Sequence, residues 1–394
     1  MDLNYSPAQE EFRQRVRAFM RDNLPPGWGS PGHVPPKGEA FLEFQRDWQR
    51  RLYEHGFLGL EWPKEYGGQG ASLVESAIFG EEQAHAHAPQ PLNLVGLFLT
   101  GPTLLAHGTR EQKHRYLRNI LSGQEIWCQG FSEPGSGSDL AALRTRAELD
   151  GDHLVVNGQK VWTSLAHIAH WCMLLVRTDP AAPKHRGLSF LLVDMKTPGI
   201  RVKPLRQMTG DAEFNEVFFD NVRVPRANLL GGLNNGWQVA MTTLMNERGA
   251  PVITVGAQYY VLFTEIVELC RRMRGVSATR APLIRQRMAQ LYVELQGMRL
   301  TSYRAFSTIL KGGTPGPEGS ILKLMWSETN QRMQDFAMEL EGPSSQLLEG
   351  PYAVDGGRWQ FEFLYSRANT IQGGTSEIQR NTLAERVLGL PRAR

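Results

Sequence analysis

The hydrophobic pattern of this 394-residue chain changes its period twice, and those changes constrain the fold more than any other feature. Apolar residues recur at helical spacing over roughly the first 120 residues, short β-branched and aromatic runs follow until about residue 232, and helical spacing then returns. We therefore predict an α+β multidomain fold. We expect an N-terminal helical domain over 1–123, a middle β-domain of barrel or sandwich type over 124–235, and a C-terminal antiparallel helical bundle over 236–394.

Capping and turn signals place individual elements. Ser6 with Gln9 forms a capping-box pattern before the first helix, and Thr109 with Gln112 repeats that pattern before another. Residues 157–158, Asn-Gly within HLVVNGQKVWTS, predict a type I′ hairpin turn. Further helices are expected over 39–55, 73–87, 92–106, 236–274, 283–311, 318–341 and 376–388.

Composition and charge exclude several classes of protein. Hydrophobic residues make up 41% of the chain and charged residues 21%, as in an ordinary globular protein. A formal net charge of +3 is too small to indicate nucleic acid or an anionic membrane as the main partner. The sequence shows no targeting segment and no run of about 18 apolar residues, so we expect a soluble, cytoplasmic protein.

The cysteines and histidines do not indicate a metal site. Cys128, Cys172 and Cys270 are far apart and match neither a disulfide framework nor a zinc spacing, which favours a reducing cytosol. His85 and His87 fall in a predicted helix, where their side chains point to nearly opposite sides. They cannot chelate one ion together, and we predict no bound metal.

The stretch WCQGFSEPGSGSDLAALRTRAE, residues 127–148, is the most informative in the chain. Its small residues at 135–138 make a loop whose amides and hydroxyls can hold a phosphate, and Ser132 adds a hydroxyl beside it. Such a loop, taken alone, is more often a simple turn. It is neither a dinucleotide fingerprint nor a nucleophile elbow, because residues 130–134 lack the closing glycine.

Five segments, in order and across nearly all of the chain, resemble the acyl-CoA dehydrogenase family. They are GTREQKHRYLRNILSGQ (108–124), FSEPGSGSD (131–139), VVNGQKVWTS (155–164), NEVFFDNVRVPRANLLG (215–231) and IQGGTSEIQRN (371–381). The resemblance implies FAD and a reaction at the Cα–Cβ bond of an acyl-CoA thioester. A carboxylate removes the α-proton, the β-hydrogen leaves as hydride to flavin N5, and the product is a trans-2-enoyl-CoA. Hydrogen bonds to the thioester carbonyl stabilise the enolate, as in an oxyanion hole.

The resemblance also carries flavin contacts onto the β-domain. Ser132 stands where the family has a threonine that hydrogen-bonds the flavin ring, and Ser138 matches the serine that binds the pyrophosphate and touches substrate. Trp162 matches the aromatic residue against the flavin ring; without the family context it would be read as a core aromatic. The implied cofactor-binding residues of this domain are Gln129, Phe131, Ser132, Ser138, Trp162, Thr163 and Ser164.

The catalytic base is not where most of the family carries it. Most members have a glutamate at the position of Gly373, which here can offer only its backbone amide to the thioester carbonyl. A minority branch, which includes isovaleryl-type, long-chain-type and some bacterial steroid or dicarboxylate enzymes, takes the glutamate from an early helix of the C-terminal domain. LMNERGAP carries Glu247 and Arg248 at that place, so we predict Glu247 as the base and Arg248 as a substrate contact. Pro251 after Gly249 predicts an irregular turn beside Glu247.

Other C-terminal segments depart from the family pattern. In RRMRG (271–275), Arg274 replaces an aromatic residue, and in ELEGPSS (339–345) Glu339 and Pro343 depart. The implied FAD contacts in this part of the chain are Arg271, Gln286, Thr375 and Glu377. These departures resemble large-subunit-type members, so we expect a homodimer, a homotetramer or a heteromer with a second dehydrogenase-like subunit.

Three functions are compatible with these residues. The first is an active acyl-CoA dehydrogenase of lipid metabolism that passes electrons to an electron-transfer flavoprotein. The second is an acyl-CoA oxidase, which uses oxygen as acceptor, and the third is a catalytically silent or partner-dependent subunit. The sequence leaves the acyl group open among short, long, branched, dicarboxylic and steroid side chains.

Overall fold

A computed structural model of the chain describes residues 5–30, 33, 36, 38–249, 251–273, 281–312, 316 and 319–391, with the backbone alone at 248–249 and 251–253. These residues form two compact units. The sheet unit comprises Gly38–Ala71 and Gln90–Glu247, and the helical unit comprises Met1–Lys37, Ser72–Pro89 and Arg248–Arg394. The predicted order of helical, β and helical regions is confirmed. The division at 123 and 235 stays a prediction.

The first third of the chain is helical. Both predicted capping boxes form: Gln9 N donates to Ser6 Oγ, and Gln112 N donates to Thr109 Oγ1. Instead of one helix over 92–106, a π-helical turn, Gly96–Thr100, precedes a short α-helix, because Pro102 has no N–H for the α-helical pattern. The α-helices are α1 (Pro7–Asn23), α2 (Glu39–Glu54), α3 (Leu73–His85), α4 (Gly101–His107) and α5 (Arg110–Ser122).

Eight strands in the described part of the chain form one sheet. They are β1 (Trp127–Gly130), β2 (Arg146–Asp150), β3 (His153–Lys160), β4 (Trp171–Arg177), β5 (Leu188–Asp194), β6 (Ile200–Leu205), β7 (Phe214–Pro225) and β8 (Leu229–Leu230). Their order is β6-β7-β3-β2-β4-β5-β8, and β1 pairs parallel with β4. Strands β4 and β5 are buried along nearly their whole length, whereas β7 alternates between buried and more exposed residues. Tyr116 of α5 packs edge-on against Trp127 and Trp171, so this helix covers one face of β1 and β4.

The predicted hairpin at 157–158 is wrong. Strand β3 runs through both residues with an irregularity in its pairing to β7, and the turn between β2 and β3 lies at Gly151 and Asp152. Gly158 has φ 153°, and a Cβ there would lie 2.5 Å from Thr145 Oγ1. The glycine therefore permits close approach of Thr145 and does not form a tight turn.

The C-terminal region forms six helices within the described residues: α6 (Gly236–Gly249), α7 (Pro251–Arg272), α8 (Ala281–Leu310), α9 (Gly319–Glu341), α10 (Arg358–Asn369) and α11 (Ser376–Arg386). The segment expected as one helix over 236–274 is helical over both α6 and α7, and residue 250 between them lies outside the described residues. Ion pairs join Arg287 to Glu339 and Arg332 to Glu294, so α8 and α9 run antiparallel, as predicted. Helix α10 was not expected from the sequence.

The expectation that both histidines of the AHAH segment lie on one helix is also wrong. Helix α3 ends at His85, and His87 follows with φ 51° and its Nδ1 3.3 Å from a carboxylate oxygen of Glu265. Among the described residues, no group of three His, Cys, Asp or Glu side chains is placed to hold a metal ion. No helix within the same residues is both long and apolar enough to cross a bilayer.

Candidate active site

The small-residue loop after β1 has its backbone open on one side. Glu133 N donates to Ser136 O at 2.9 Å and Ser136 N returns a bond to Glu133 O at 3.0 Å, which closes a tight loop. Ser136 is buried and its hydroxyl donates to Asp139 O, whereas Ser138 is exposed. No atom lies within 4 Å of the place a Cβ would take at Gly135 or at Gly137. The backbone of this loop is therefore accessible to a bound group such as a phosphate.

Trp162 is held away from the core. Its side chain is 61% exposed, and its φ of 60° is uncommon for a residue with a bulky side chain. The next residue, Thr163, is fully buried and is fixed by two hydrogen bonds with Asn215, from Thr163 N to Asn215 O and from Asn215 Nδ2 to Thr163 O. The rigid neighbour presents the indole to the outside, so reading Trp162 as a core aromatic is excluded.

These two segments meet and together fit a flavin. Val161 N donates to Ser132 O at 2.9 Å, which joins the loop after β1 to the end of β3. Thr163 Oγ1 is buried and has no hydrogen-bond partner among the described residues, so it is available to a heteroatom of a bound ring. An exposed indole plane, this hydroxyl and the open phosphate-sized loop suit a flat heterocycle that carries a pyrophosphate. Gln129 on β1, buried Phe131 and half-buried Ser164 flank the same segments.

Helix α6 carries the predicted base. It is held against α4 by Thr243 Oγ1, 2.9 Å from Thr103 Oγ1, and by Thr242 Oγ1, 2.7 Å from His107 Nε2. Burial lowers the pKa of His107 below its ordinary value. Glu247 follows Thr243 by four residues, so both side chains lie on the same face of α6, and Glu247 is half-buried.

The residues directly after Glu247 are described only in part. Helix α6 is described to Gly249 and α7 from Pro251, and the irregular turn that the sequence predicts beside Glu247 falls at residue 250, outside the described residues. The side chain of Arg248, the predicted substrate contact, lies outside the described residues.

The turn that holds Gly373 is rigid and left-handed. Gly373 has φ 64° and Gly374 has φ 93°. Gln379 Nε2 donates to the carbonyl oxygens of both glycines, at 2.9 and 3.3 Å. Thr375 Oγ1 accepts from Ile378 N and caps α11. With the carbonyl groups fixed by Gln379, this backbone is suited to glycine and strained for any side chain.

The helix α9 lies under the same turn. Lys323, which is buried, donates from Nζ to Asn369 O at 2.8 Å, and Gln331 Nε2 donates to Thr370 Oγ1 at 3.1 Å. Glu377, in the first turn of α11, is exposed, and its own backbone N–H and the hydroxyl of Thr375 lower the pKa of its carboxyl. The turn is thus fixed from α9 on one side and from α11 on the other.

The remaining predicted FAD contacts of the helical unit are on the surface. Arg271 is exposed near the end of α7 with Glu268 3.4 Å away, and Gln286 is exposed on α8. Arg274 and Gly275 lie outside the described residues. Within the described residues of the helical unit, neither Arg271 nor Gln286 forms a hydrogen bond or ion pair with Thr375 or Glu377.

Sequence reasoning missed two polar pairs close to predicted segments. Glu341 is buried and accepts from Gln360 Nε2 at 2.6 Å, and burial raises the pKa of this glutamate to about 7. Lys160 is fully buried and pairs with Glu133 at 2.9 Å. The sequence could have predicted a partner for Lys160. This lysine continues the alternation of buried positions in β3, and a buried charge needs a partner.

Comparison with known proteins agrees with the fold and the candidate site. Three family models match in order: the acyl-CoA dehydrogenase N-terminal domain over 6–124, the middle domain over 128–222 and the C-terminal domain over 234–388. The chain belongs to the acyl-CoA dehydrogenase family, as the five segments predict. It is thereby an enzyme of the flavoprotein class that oxidises a CH–CH group.

Relatives match the chain over nearly its full length. Acyl-CoA dehydrogenase IpdE1 of Mycobacterium tuberculosis is 45% identical over 393 residues, which cover 97% of this chain and 98% of the relative. A solved structure of the Tcur3481-Tcur3483 steroid ACAD is 34% identical and superposes over both whole chains with a TM-score of 0.87. The ChsE4-ChsE5 complex from Mycobacterium tuberculosis is 33% identical, also over both whole chains, with a TM-score of 0.85.

Proposed function

We propose that this chain catalyses FAD-dependent α,β-dehydrogenation of an acyl-CoA thioester to a trans-2-enoyl-CoA, with Glu247 as the base. The observation that carries the proposal is the surface formed where Val161 bonds Ser132, with an exposed Trp162 beside the unpartnered hydroxyl of Thr163. FAD supplies the hydride acceptor when it is bound. Trp162 would hold the ring by stacking, and the hydroxyl groups of Ser132 and Thr163 would bind its polar edge.

The chain's own residues supply the remaining chemistry. The loop at 135–138 and the exposed hydroxyl of Ser138 are suited to the pyrophosphate. Glu247 would take the α-proton, and its half-buried position on α6 is compatible with a carboxylate shielded from bulk water. The amide of Gly373 would donate to the thioester carbonyl, and Gln379 Nε2 fixes this turn by donating to the carbonyl oxygen of Gly373.

Replacing the proposed base tests the assignment. Glu247→Gln keeps the shape of the side chain and removes its basicity, so it should bind FAD normally and reduce it about 10²–10⁴-fold more slowly with substrate. Glu148→Gln is the matched control, because Glu148 is an exposed carboxylate on β2 outside every proposed site. Flavin reduction by Glu247→Gln at the wild-type rate would remove Glu247 from the mechanism.

A second candidate is a subunit that is active only with a different partner chain. It is favoured by Gly373, by Glu339 and Pro343 in a segment that touches the neighbour's FAD in most of the family, and by the buried pair of Glu341 and Gln360 there. Two similar solved structures, Tcur3481-Tcur3483 and ChsE4-ChsE5, are named as pairs of proteins. The FAD content and mass of the chain expressed alone, compared with the chain expressed beside a second dehydrogenase-like subunit, separate this candidate from a homo-oligomeric enzyme.

The acyl group and the electron acceptor complete the proposal. Because the Tcur3481-Tcur3483 structure, 34% identical to this chain, is named a steroid ACAD, an acyl-CoA with a steroid-derived acyl group is the first substrate to test. We propose an electron-transfer flavoprotein as the acceptor. Oxygen consumption at the rate of substrate turnover would indicate an acyl-CoA oxidase instead.

A further inference from the structure

A buried lysine joins the two segments that form the candidate flavin surface. Lys160 is the last residue of β3 and none of its side chain is exposed. Its Nζ donates to Phe131 O at 3.0 Å and to Glu133 Oε1 at 2.9 Å. Because a buried ammonium group is costly unless it is paired and hydrogen-bonded, this position demands both of its partners.

The partner carboxylate is held from a third segment of the chain. Arg144 N donates to Glu133 Oε2 at 2.7 Å, and Thr145 N donates to Glu133 Oε1 at 2.8 Å. Burial alone would raise the pKa of Glu133, but the nearby Lys160 ammonium and these hydrogen bonds hold the pKa below its ordinary value. Burial lowers the pKa of Lys160, against the attraction of Glu133, which favours the ammonium form.

Two consecutive residues of the chain therefore fix two consecutive carbonyl groups. Lys160 binds the carbonyl of Phe131 through its side chain, and Val161 binds the carbonyl of Ser132 through its backbone N–H. Trp162 follows at once with its positive φ. The relative position of the Ser132 hydroxyl and the Trp162 indole is thus set by the contacts of residues 160 and 161.

We propose that Lys160 and Glu133 are positioning residues of the flavin site, which hold Ser132 and Trp162 at the separation that the cofactor requires. The proposal rests on the proposed FAD-dependent function. A purely structural role would make the pair important for folding alone. A positioning role makes it important for cofactor affinity beyond any loss of stability.

Three variants and one control separate these roles. Lys160→Met removes the charge and both hydrogen bonds, Glu133→Gln keeps an acceptor for Lys160, and the double variant leaves no unpaired buried charge if the single lysine variant does not fold. The control is Val156→Ala, since Val156 is fully buried on the same strand but bonds to neither segment of the flavin surface. It loses packing without disturbing the pair.

The readouts are the Kd of FAD for the apoprotein, Tm, and hydrogen exchange of the backbone amides at 131–138 without FAD. Lys160→Met and the double variant should raise the Kd at least tenfold and speed exchange at 131–138 at least tenfold. Val156→Ala should lower Tm with a Kd and a loop exchange rate within twofold of wild type. Glu133→Gln should give a Kd and an exchange rate between those of Lys160→Met and those of Val156→Ala.

Each failure has a distinct signature. The positioning role is overturned if Lys160→Met or the double variant binds FAD with the wild-type Kd, or if Val156→Ala weakens FAD binding as much at an equal loss of Tm. If the wild-type chain binds no FAD, alone or beside a partner chain, the proposed function fails and the proposal fails with it. Unchanged exchange at 131–138 in every variant refutes the link between the pair and the loop independently of FAD.

Discussion

The candidate flavin-facing segments of the sheet unit and the glycine turn of the helical unit differ in how closely they resemble the family. In the sheet unit the loop after β1 and the end of β3 resemble the family's motifs, with Ser132 in place of a threonine. In the helical unit Gly373 replaces the usual glutamate, and Glu339 and Pro343 also depart. Holding a cofactor ring requires many fixed backbone groups, whereas removing a proton requires one carboxylate. The second task can move to another helix, and the first cannot.

Returning the glutamate to its usual position is the strongest way to break this comparison. Gly373→Glu placed in the Glu247→Gln background should stay within tenfold of the Glu247→Gln rate, which we expect about 10²–10⁴-fold below wild type. The φ of 64° at Gly373 and the two bonds from Gln379 hold a turn that strains any side chain by about 1–2 kcal/mol.

Gly373→Ala in the same background is the control for strain without a carboxylate. Rates of flavin reduction by substrate are measured for both variants. Recovery to more than a tenth of the wild-type rate by the glutamate variant alone would show that the turn accepts the base. The strained turn at Gly373 would then no longer explain why the base lies on another helix.

Removing the exposed indole tests the cofactor side. Trp162→Ala should raise the Kd of FAD by about tenfold or more, since stacking on an aromatic ring contributes roughly 1–3 kcal/mol. Tm of the apoprotein should hardly change because the side chain is 61% exposed. Leu149→Ala, which removes an exposed side chain from β2, is the matched control. Equal FAD affinity in all three proteins would exclude Trp162 from the cofactor site.

A stability measurement sharpens the account of the sheet. Gly158→Ala should lower the free energy of unfolding by about 1–3 kcal/mol, because the added Cβ would lie 2.7 Å from the Thr145 Cα atom. The Cβ added by Gly135→Ala meets no atom within 4 Å, so this variant should change the free energy of unfolding by less than about 0.5 kcal/mol. Urea titrations of the apoproteins compare the two. An unaffected Gly158→Ala would mean that the strand does not need glycine for this approach.

The smallest expected effect is a pH dependence in the helical unit. Burial raises the pKa of Glu341 to about 7, so the folded chain holds this proton at pH values where the unfolded chain has released it. Stability from this group is therefore fully present below the ordinary pKa of 4.5 and is lost as pH rises from there through about 7, by an amount of order 1 kcal/mol after screening. Glu341→Gln should flatten the fall in Tm between these pH values, and an unchanged slope would contradict the assignment.

Local rules predicted the parts of the fold that depend on neighbours in sequence. Both capping boxes formed because their partners are three residues apart. The Asn-Gly signal at 157–158 failed because a distant residue, Thr145, decides what that glycine is for. In a single sequence, a glycine that a tertiary contact requires cannot be distinguished from a glycine that a turn requires.

The residues proposed to contact the flavin stay predictions. They were named from motifs, but the exposure of Trp162 and the unpartnered hydroxyl of Thr163 depend on hydrogen bonds to Asn215, 52 residues from Thr163. The pair of Lys160 and Glu133 lay inside two quoted motifs without an assigned role. Its importance appears only when the fold brings together two side chains that are 27 residues apart in sequence.

Anaerobic titration of the purified protein with acyl-CoA thioesters tests the central claim most directly. The account predicts a flavin absorption spectrum in both wild type and Glu247→Gln, bleached at once by one class of acyl-CoA in wild type and about 10²–10⁴-fold more slowly in the variant. Steroid-derived, long-chain, branched and dicarboxylic thioesters are compared, with and without a co-expressed second subunit. Bleaching of the variant at the wild-type rate would contradict a base on α6.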